Sequence, residues 1–280
     1  MSEVSIEGPV VVIGGTGKTG SRVAARLSQR GVPVRPVSRS TAVRFDWDDP
    51  DTWDGALAGA SAAYLTYSPD LAFPGADKQI QHLAGMLAER AISRVVLLSG
   101  RGEAGAAASE RALLAAVPTA SVVSCSFFTQ NFTEGPFLAG VLDGYIAMPV
   151  SAQVPEPFLD IDDLADVVVA VLSGGAHPGE VLELTGPEAV TFPGIMRVLR
   201  DEAGRTVAFE EISAAEYVEG AVAAGLPVEV AYGLAELFAE VLDGRNVATT
   251  TTVQDVLGRP ATAVDVTIRR AAEAGCFDVG

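Results

Sequence analysis

Val10-Val-Val-Ile-Gly-Gly-Thr-Gly-Lys-Thr-Gly20 is a four-residue apolar run followed by glycines at 14, 17 and 20. The run reads as a strand buried on both faces. Residues 21–29, with Val23 and Leu27 at helical spacing among small alanines, read as the helix that follows, and Gly31 as its stop. Strand, glycine turn and helix in that order put backbone N–H groups at a helix N-terminus, where a pyrophosphate binds. The GxxGxxG spacing is shared by many tight turns; its place inside a βαβ unit gives it meaning. A P-loop is excluded, because no Gly-Lys-Ser/Thr closes the GxxxxGK[ST] spacing.

Outward from this stretch, strands are expected at 32–37, 62–67, 94–98 and 120–125, and helices at 53–57, 78–90 and 110–116. In the helix at 78–90, Ile80, Leu83, Met86 and Leu87 share one face. This alternation predicts an α/β fold, a doubly wound parallel sheet. After Phe127 the segments shorten and prolines recur at 136, 149, 155 and 157. Asp160-Ile-Asp-Asp163 then opens a helix to 172, its acids at the end that the helix dipole favours. The expected organisation is a nucleotide-binding domain over 1–127 and a smaller substrate lobe over 128–280, interleaved with the sheet.

Composition narrows the function. Asp plus Glu outnumber Lys plus Arg by 36 to 19, a net charge of −17 with no basic run, so a phosphate backbone is repelled and nucleic acid is not an expected partner. The cysteines, Cys125 and Cys276, form no CxxC, and His82 and His177 have no metal-ligand spacing, so no metal is expected. No apolar run reaches the roughly 18 residues of a membrane helix, and the first residues do not resemble a signal peptide. These features predict a reduced, cytoplasmic protein that is a monomer or homodimer.

At the end of the second strand, where an acid would bind a ribose 2′-hydroxyl, the chain has Ser38-Arg39-Ser40. Arg39 can pair with a 2′-phosphate, with Lys18 assisting, so NADP is expected over NAD. The bland alternative is a solvated surface arginine. Asp46, after Val43 and Phe45, can accept from an adenine amino group at the end of a third strand; alternatively it caps the Asp-Asp-Pro turn. Too few residues separate Arg39 from Val43 for a crossover helix, so that strand is rudimentary or reached by a bare loop.

The glycine turn, Arg44-Phe-Asp-Trp47, Arg94-Val-Val-Leu-Leu-Ser99, Phe127-Phe-Thr-Gln-Asn131, Phe158-Leu-Asp-Ile-Asp-Asp163 and Leu184-Thr-Gly-Pro187 together resemble the NmrA-like branch of the atypical short-chain dehydrogenases/reductases. The resemblance covers nearly the whole chain. It implies a Rossmann-type domain with a smaller α/β C-terminal substrate lobe. The activities it implies are NADPH-dependent reduction of quinones, azo compounds or enones, or redox sensing without catalysis. It also implies cofactor contacts at Gly14, Thr16, Gly17, Lys18, Thr19, Gly20, Arg39, Asp46, Tyr67, Ser68, Ser99 and Gly100. The loop from Phe127 to Phe132 is expected to face nicotinamide and substrate.

Two departures matter. The Tyr-x-x-x-Lys pair that supplies a proton in short-chain dehydrogenases is absent: the only lysines are Lys18 and Lys78, and residues 103–111 hold neither partner. Ser124-Cys-Ser126 stands where many relatives carry Arg-Pro. Without the pair, an unactivated ketone is poorly served, because its reduction needs a general acid. Quinones, enones and azo compounds give delocalised, weakly basic anions, and ask instead for orientation and a flat apolar pocket. Phe127, Phe128, Asn131, Tyr145 and Phe158 are the candidate substrate contacts, and Tyr67 and Ser99 the candidate proton donors. His82 and Cys125 read as non-catalytic. The expected function is an NADPH-dependent oxidoreductase acting on such acceptors, in the tailoring of a secondary metabolite; the alternative is a non-catalytic NADP(H) sensor.

Overall fold

The computed structural model describes residues 8–174 and 177–278. β1 (Val10–Ile13) leads through the glycine turn into α1 (Lys18–Gln29) and back to β2 (Val34–Val37). A short α2 (Trp53–Leu57) precedes β3 (Ala62–Leu65), and α3 (Ala76–Glu89), β4 (Arg94–Gly100), α4 (Ala104–Ala116) and β5 (Ser121–Cys125) continue the alternation. Every residue of β1, β3 and β5 is buried, as expected of strands covered by helices on both faces.

Beyond β5 come α5 (Leu138–Asp143), β6 (Tyr145–Met148) and β7 (Pro155–Glu156), then α6 (Ile161–Leu172) and β8 (Val181–Leu184). β9 (Val190–Thr191), α7 (Phe192–Ala203), β10 (Ala208–Glu211), α8 (Ala214–Ala223), α9 (Val228–Val241), α10 (Thr252–Leu257) and α11 (Val264–Glu273) complete the chain. The central sheet has six parallel strands in the order β2-β1-β3-β4-β5-β8. The chain therefore reverses its direction of winding between β1 and β3. Ligands of open α/β sheets bind at such a switch point, at the carboxyl ends of the strands.

α6 starts on a true N-cap, in which the Asp160 carboxylate accepts the Asp162 N–H at 2.7 Å. It packs on α1 through Arg26, which bonds Asp162 at 2.6 Å and Asp166 at 2.7 Å. A further buried cluster, separate from those on the two faces of the sheet, gathers around Phe132, Phe158, Phe192 and Ile195.

Residues 43–45 form no strand. They make a single parallel bridge, Ser38 to Arg44, and then turn. Phe45 and Trp47 serve instead as anchors: Phe45 stacks on Trp53 at 5.5 Å and meets Trp47 edge-on at 5.0 Å. With no crossover helix available between Arg39 and Val43, an aromatic plug covers this edge of the sheet.

Candidate functional site

The glycine turn is specified by close approach. Gly14 has φ +74°, and a Cβ there would lie 2.0 Å from Thr66 Oγ1. A Cβ on Gly20 would lie 2.3 Å from the Gly14 carbonyl oxygen. The turn closes through the Gly17 N–H, which donates to Gly14 O at 2.8 Å. No side chain caps the start of α1, so its first-turn N–H groups are left to an outside anion. Thr16 and Gly17 are exposed; Thr19 and Gly20 are buried. Thr19 therefore turns toward the sheet, near the Tyr64 hydroxyl, and only its main chain is placed for the turn. Lys18 Nζ donates to Asn131 Oδ1 at 3.0 Å, joining the turn to the loop after β5, and burial lowers its pKa.

Arg39 is exposed just past β2 and has no hydrogen-bond or ion-pair partner among the described residues. Asp46 organises a turn. Its carboxylate takes the Asp48 N–H at 3.2 Å and Arg44 at 2.7 Å, and its carbonyl takes Trp53 Nε1 at 2.7 Å. The Asp48 N–H first, and then Arg44, hold its pKa below the usual carboxylate range. Ser68 is exposed in the loop after β3.

At the carboxyl ends of β3, β4 and β5 lies a cleft of about 200 Å³, whose wall includes Tyr67, Ser99, Gly100, Cys125, Phe127 and Phe128. It adjoins a larger, mostly apolar cavity of about 520 Å³ walled by Phe137, Tyr145, Tyr217 and Phe238. Asp70, Phe127, Asn131 and Leu237 border both. Phe158 borders neither. It is fully buried against Phe132 and Phe192, at 5.8 Å and 5.6 Å, so the substrate contact expected from sequence is a core residue. Its place directly before α6 draws it into that aromatic cluster. Tyr145 is about half exposed, and its hydroxyl donates to Glu210.

Both hydroxyl candidates are engaged within the protein. Tyr67 donates to Gln79 Oε1 at 2.5 Å, and burial raises its pKa. Ser99 donates to Glu110 Oε1 at 2.5 Å. Burial raises the Cys125 thiol well above its ordinary range, which keeps it inert. His82 packs on Trp53 away from the cleft.

The sequence reading passed over the acids of this cleft. Glu156, 3% exposed, accepts the Phe127 N–H at 3.1 Å, and burial pushes its pKa up to about 7. Asp70 and Glu103 face each other, and burial raises both. Arg101 closes one side, donating to the carbonyls of Asn246 and Ala248 at 2.7 Å and 2.8 Å. Asn246 is almost 150 residues away along the chain from that arginine, so no local motif announces the contact. A charged residue just past a strand end is the one signal available for Glu103.

No family model matches the chain. It is 30% identical over 264 residues to the uncharacterized oxidoreductase YesF of Bacillus subtilis, a match covering 90% of this chain and 91% of that protein. The chain belongs to the NmrA-like family of atypical short-chain dehydrogenases/reductases. This NmrA-like protein is an oxidoreductase. It is also 26% identical over 273 residues to festuclavine synthase I of Penicillium roqueforti, covering 90% of this chain and 94% of the relative. Among solved structures, the NADPH-dependent quinone oxidoreductase QOR2 of Escherichia coli, complexed with NADPH, has the same fold. Its TM-score is 0.78 at 18% identity, over 93% of this chain and 99% of that one.

Proposed function

We propose that this NmrA-like protein is an NADPH-dependent reductase of quinones, enones or related aromatic acceptors, acting in the tailoring of a secondary metabolite. One observation carries the reading. The uncapped glycine turn at the switch point leads into a cleft that opens on an apolar, aromatic-walled cavity of about 520 Å³.

The residues present fit a dinucleotide. Gly14 and Gly20 let the turn close tightly against Thr66 and on itself, which brings main-chain N–H groups to the N-terminus of α1 where a pyrophosphate binds, and Arg39, without a partner among the described residues, carries a guanidinium for a 2′-phosphate. Such a cofactor supplies hydride. The protein's part is orientation and the exclusion of water. Lys18 and Asn131 tie the turn to the acceptor side, and Phe127 and Phe128 border the reacting region. Two named proteins support the reading: QOR2, by its quinone activity, the acceptor class, and festuclavine synthase I, as an enzyme of secondary metabolism, the tailoring role.

The test is a comparison of acceptors at fixed NADPH. Naphthoquinones are expected to be reduced far faster than simple aliphatic ketones, because the apolar cavity suits flat rings and their reduced anions are weakly basic. Preferred turnover of an aliphatic ketone would overturn the acceptor class. Tight NADPH binding with no oxidation by any acceptor would instead favour a sensor.

A further inference from the structure

Gly100-Arg-Gly-Glu103 carries the chain from β4 to α4 along the cleft. The Glu103 carboxyl lies directly over the Gly100 α-carbon: a Cβ at position 100 would be 1.7 Å from Glu103 Oε1. Glu103 occupies the N-cap position of α4 and yet makes no capping bond. The Ala104 N–H, the first of the helix, donates to Glu240 Oε1 of α9 at 3.3 Å. The Glu103 side chain, bound to no N–H of its helix, borders the cleft, and its buried Oε2 meets no donor among the described residues.

Its neighbour is the Asp70 carboxyl, within hydrogen-bonding reach. Ionised carboxylates only accept, so two in contact require a shared proton. Asp70 Oδ1 takes the Ala72 N–H at 2.8 Å, which favours the ionised form of Asp70 and leaves the proton on Glu103. The other titratable groups facing Glu103 act the same way: Glu110 from α4 and Glu240 from α9 are both acidic. The cysteine on β5, Cys125, is a neutral thiol. Arg101 does not offset them, because its guanidinium is turned to Glu183 at 2.9 Å and to two main-chain carbonyls. Arg245 reaches Glu240 at 3.3 Å and the Gly102 carbonyl at 3.5 Å, and is otherwise held by Asp243, so it bonds the main chain beside Glu103 and not the Glu103 carboxyl. Asp70 borders both cavities, so the carboxyl pair stands at their junction, where an acceptor seated in the apolar cavity meets the cleft.

We propose that the Glu103 carboxyl, hydrogen-bonded to Asp70, is the proton donor to the reduced acceptor, and that it replaces the missing tyrosine–lysine pair. The inference rests on the NADPH-dependent reductase reading. Bound NADPH would supply the hydride, two electrons and one hydrogen nucleus, that makes the acceptor an anion. The resulting acceptor anion takes the Glu103 proton: the carboxyl O–H bond breaks and the O–H bond of the enol or hydroquinone forms. Glu103 is left as carboxylate beside Asp70, and water returns the proton after product departs.

Infrared spectroscopy of the nucleotide-free protein at neutral pH gives the first readout. A protonated-carboxyl C=O band is expected that E103Q lacks. Kinetics gives the second. In E103Q, kcat for an enone, whose enolate is more basic than a hydroquinone anion, is expected to fall by about 10²-fold or more with KM little changed. Naphthoquinone reduction, whose anion is weakly basic, is expected to fall much less. In D70N, which removes the like charge, the band should titrate at lower pH and the enone rate should decline at correspondingly lower pH. D70N also serves if E103Q does not fold. Equal losses for both acceptors, or no band that depends on Glu103, would overturn the assignment. Wild type that binds NADPH and reduces neither acceptor would instead sink the underlying reductase reading.

Discussion

Replacing Arg39 by Ala removes a guanidinium that is exposed and unpartnered among the described residues, so the fold loses no internal contact with it. Surface substitutions of this kind change stability by about 0.5 kcal/mol or less. The effect is therefore expected in nucleotide binding alone. A charge-assisted hydrogen bond to a phosphate contributes about 1.5–3 kcal/mol. At about 1.4 kcal/mol per factor of ten, NADPH affinity should fall roughly 10- to 150-fold, while NADH affinity stays nearly constant. Titration calorimetry of wild type and R39A with both nucleotides measures this directly. Because the contact is at the surface, added salt should narrow the difference in wild type and change little in R39A. Equal losses for NADPH and NADH would refute the reasoning, since Arg39 would then not be reading the 2′-phosphate.

Other consequences follow from the cleft. The Glu156 carboxyl, pushed up to about 7 by burial, is raised above its unfolded value. The folded state thus binds the extra proton between about pH 4.5 and 7, and stability should decline as pH rises through that window, by up to about 3 kcal/mol. Urea unfolding across a pH series should show a shallower decline in Glu156→Gln than in wild type; an unchanged slope would place the effect elsewhere. Tyr67→Phe removes a hydroxyl that already donates to Gln79 at 2.5 Å, so kcat should change less than tenfold. A loss of about 10² would make Tyr67 the general acid and count against Glu103.

What the sequence made legible was periodic or local. The four-residue apolar runs, the glycines at 14, 17 and 20 and the acids opening α6 each report on their own neighbourhood, and the parallel sheet follows from repeated βαβ units. Val43 and Phe45 were legible in part: the rudimentary strand expected there is one parallel bridge at Arg44, while the aromatic packing of Phe45 on Trp53 has no local signal. Phe158 looked like a pocket wall for a similar reason: an aromatic near a substrate loop packs equally well into a core, and only the three-dimensional neighbours Phe132 and Phe192 decide. The acids were out of reach for a different reason. Asp70 and Glu103 come from separate loops and Glu156 from β7, and they share one cleft only where the strand ends converge. Residues 103–111 were read for the tyrosine and lysine they lack, while the carboxyl at their start went unweighed.

The measurement that bears most directly on the central claim follows the transferred hydrogen itself. Wild-type protein is given NADPH deuterated on one or the other face of nicotinamide C4, together with a conjugated enone, and the product is analysed by mass spectrometry and NMR. Reduction by direct hydride transfer in the cleft predicts a single deuterium at the product's β-carbon from one labelled face and none from the other. Product without label from either face, or no product despite bound NADPH, would contradict it.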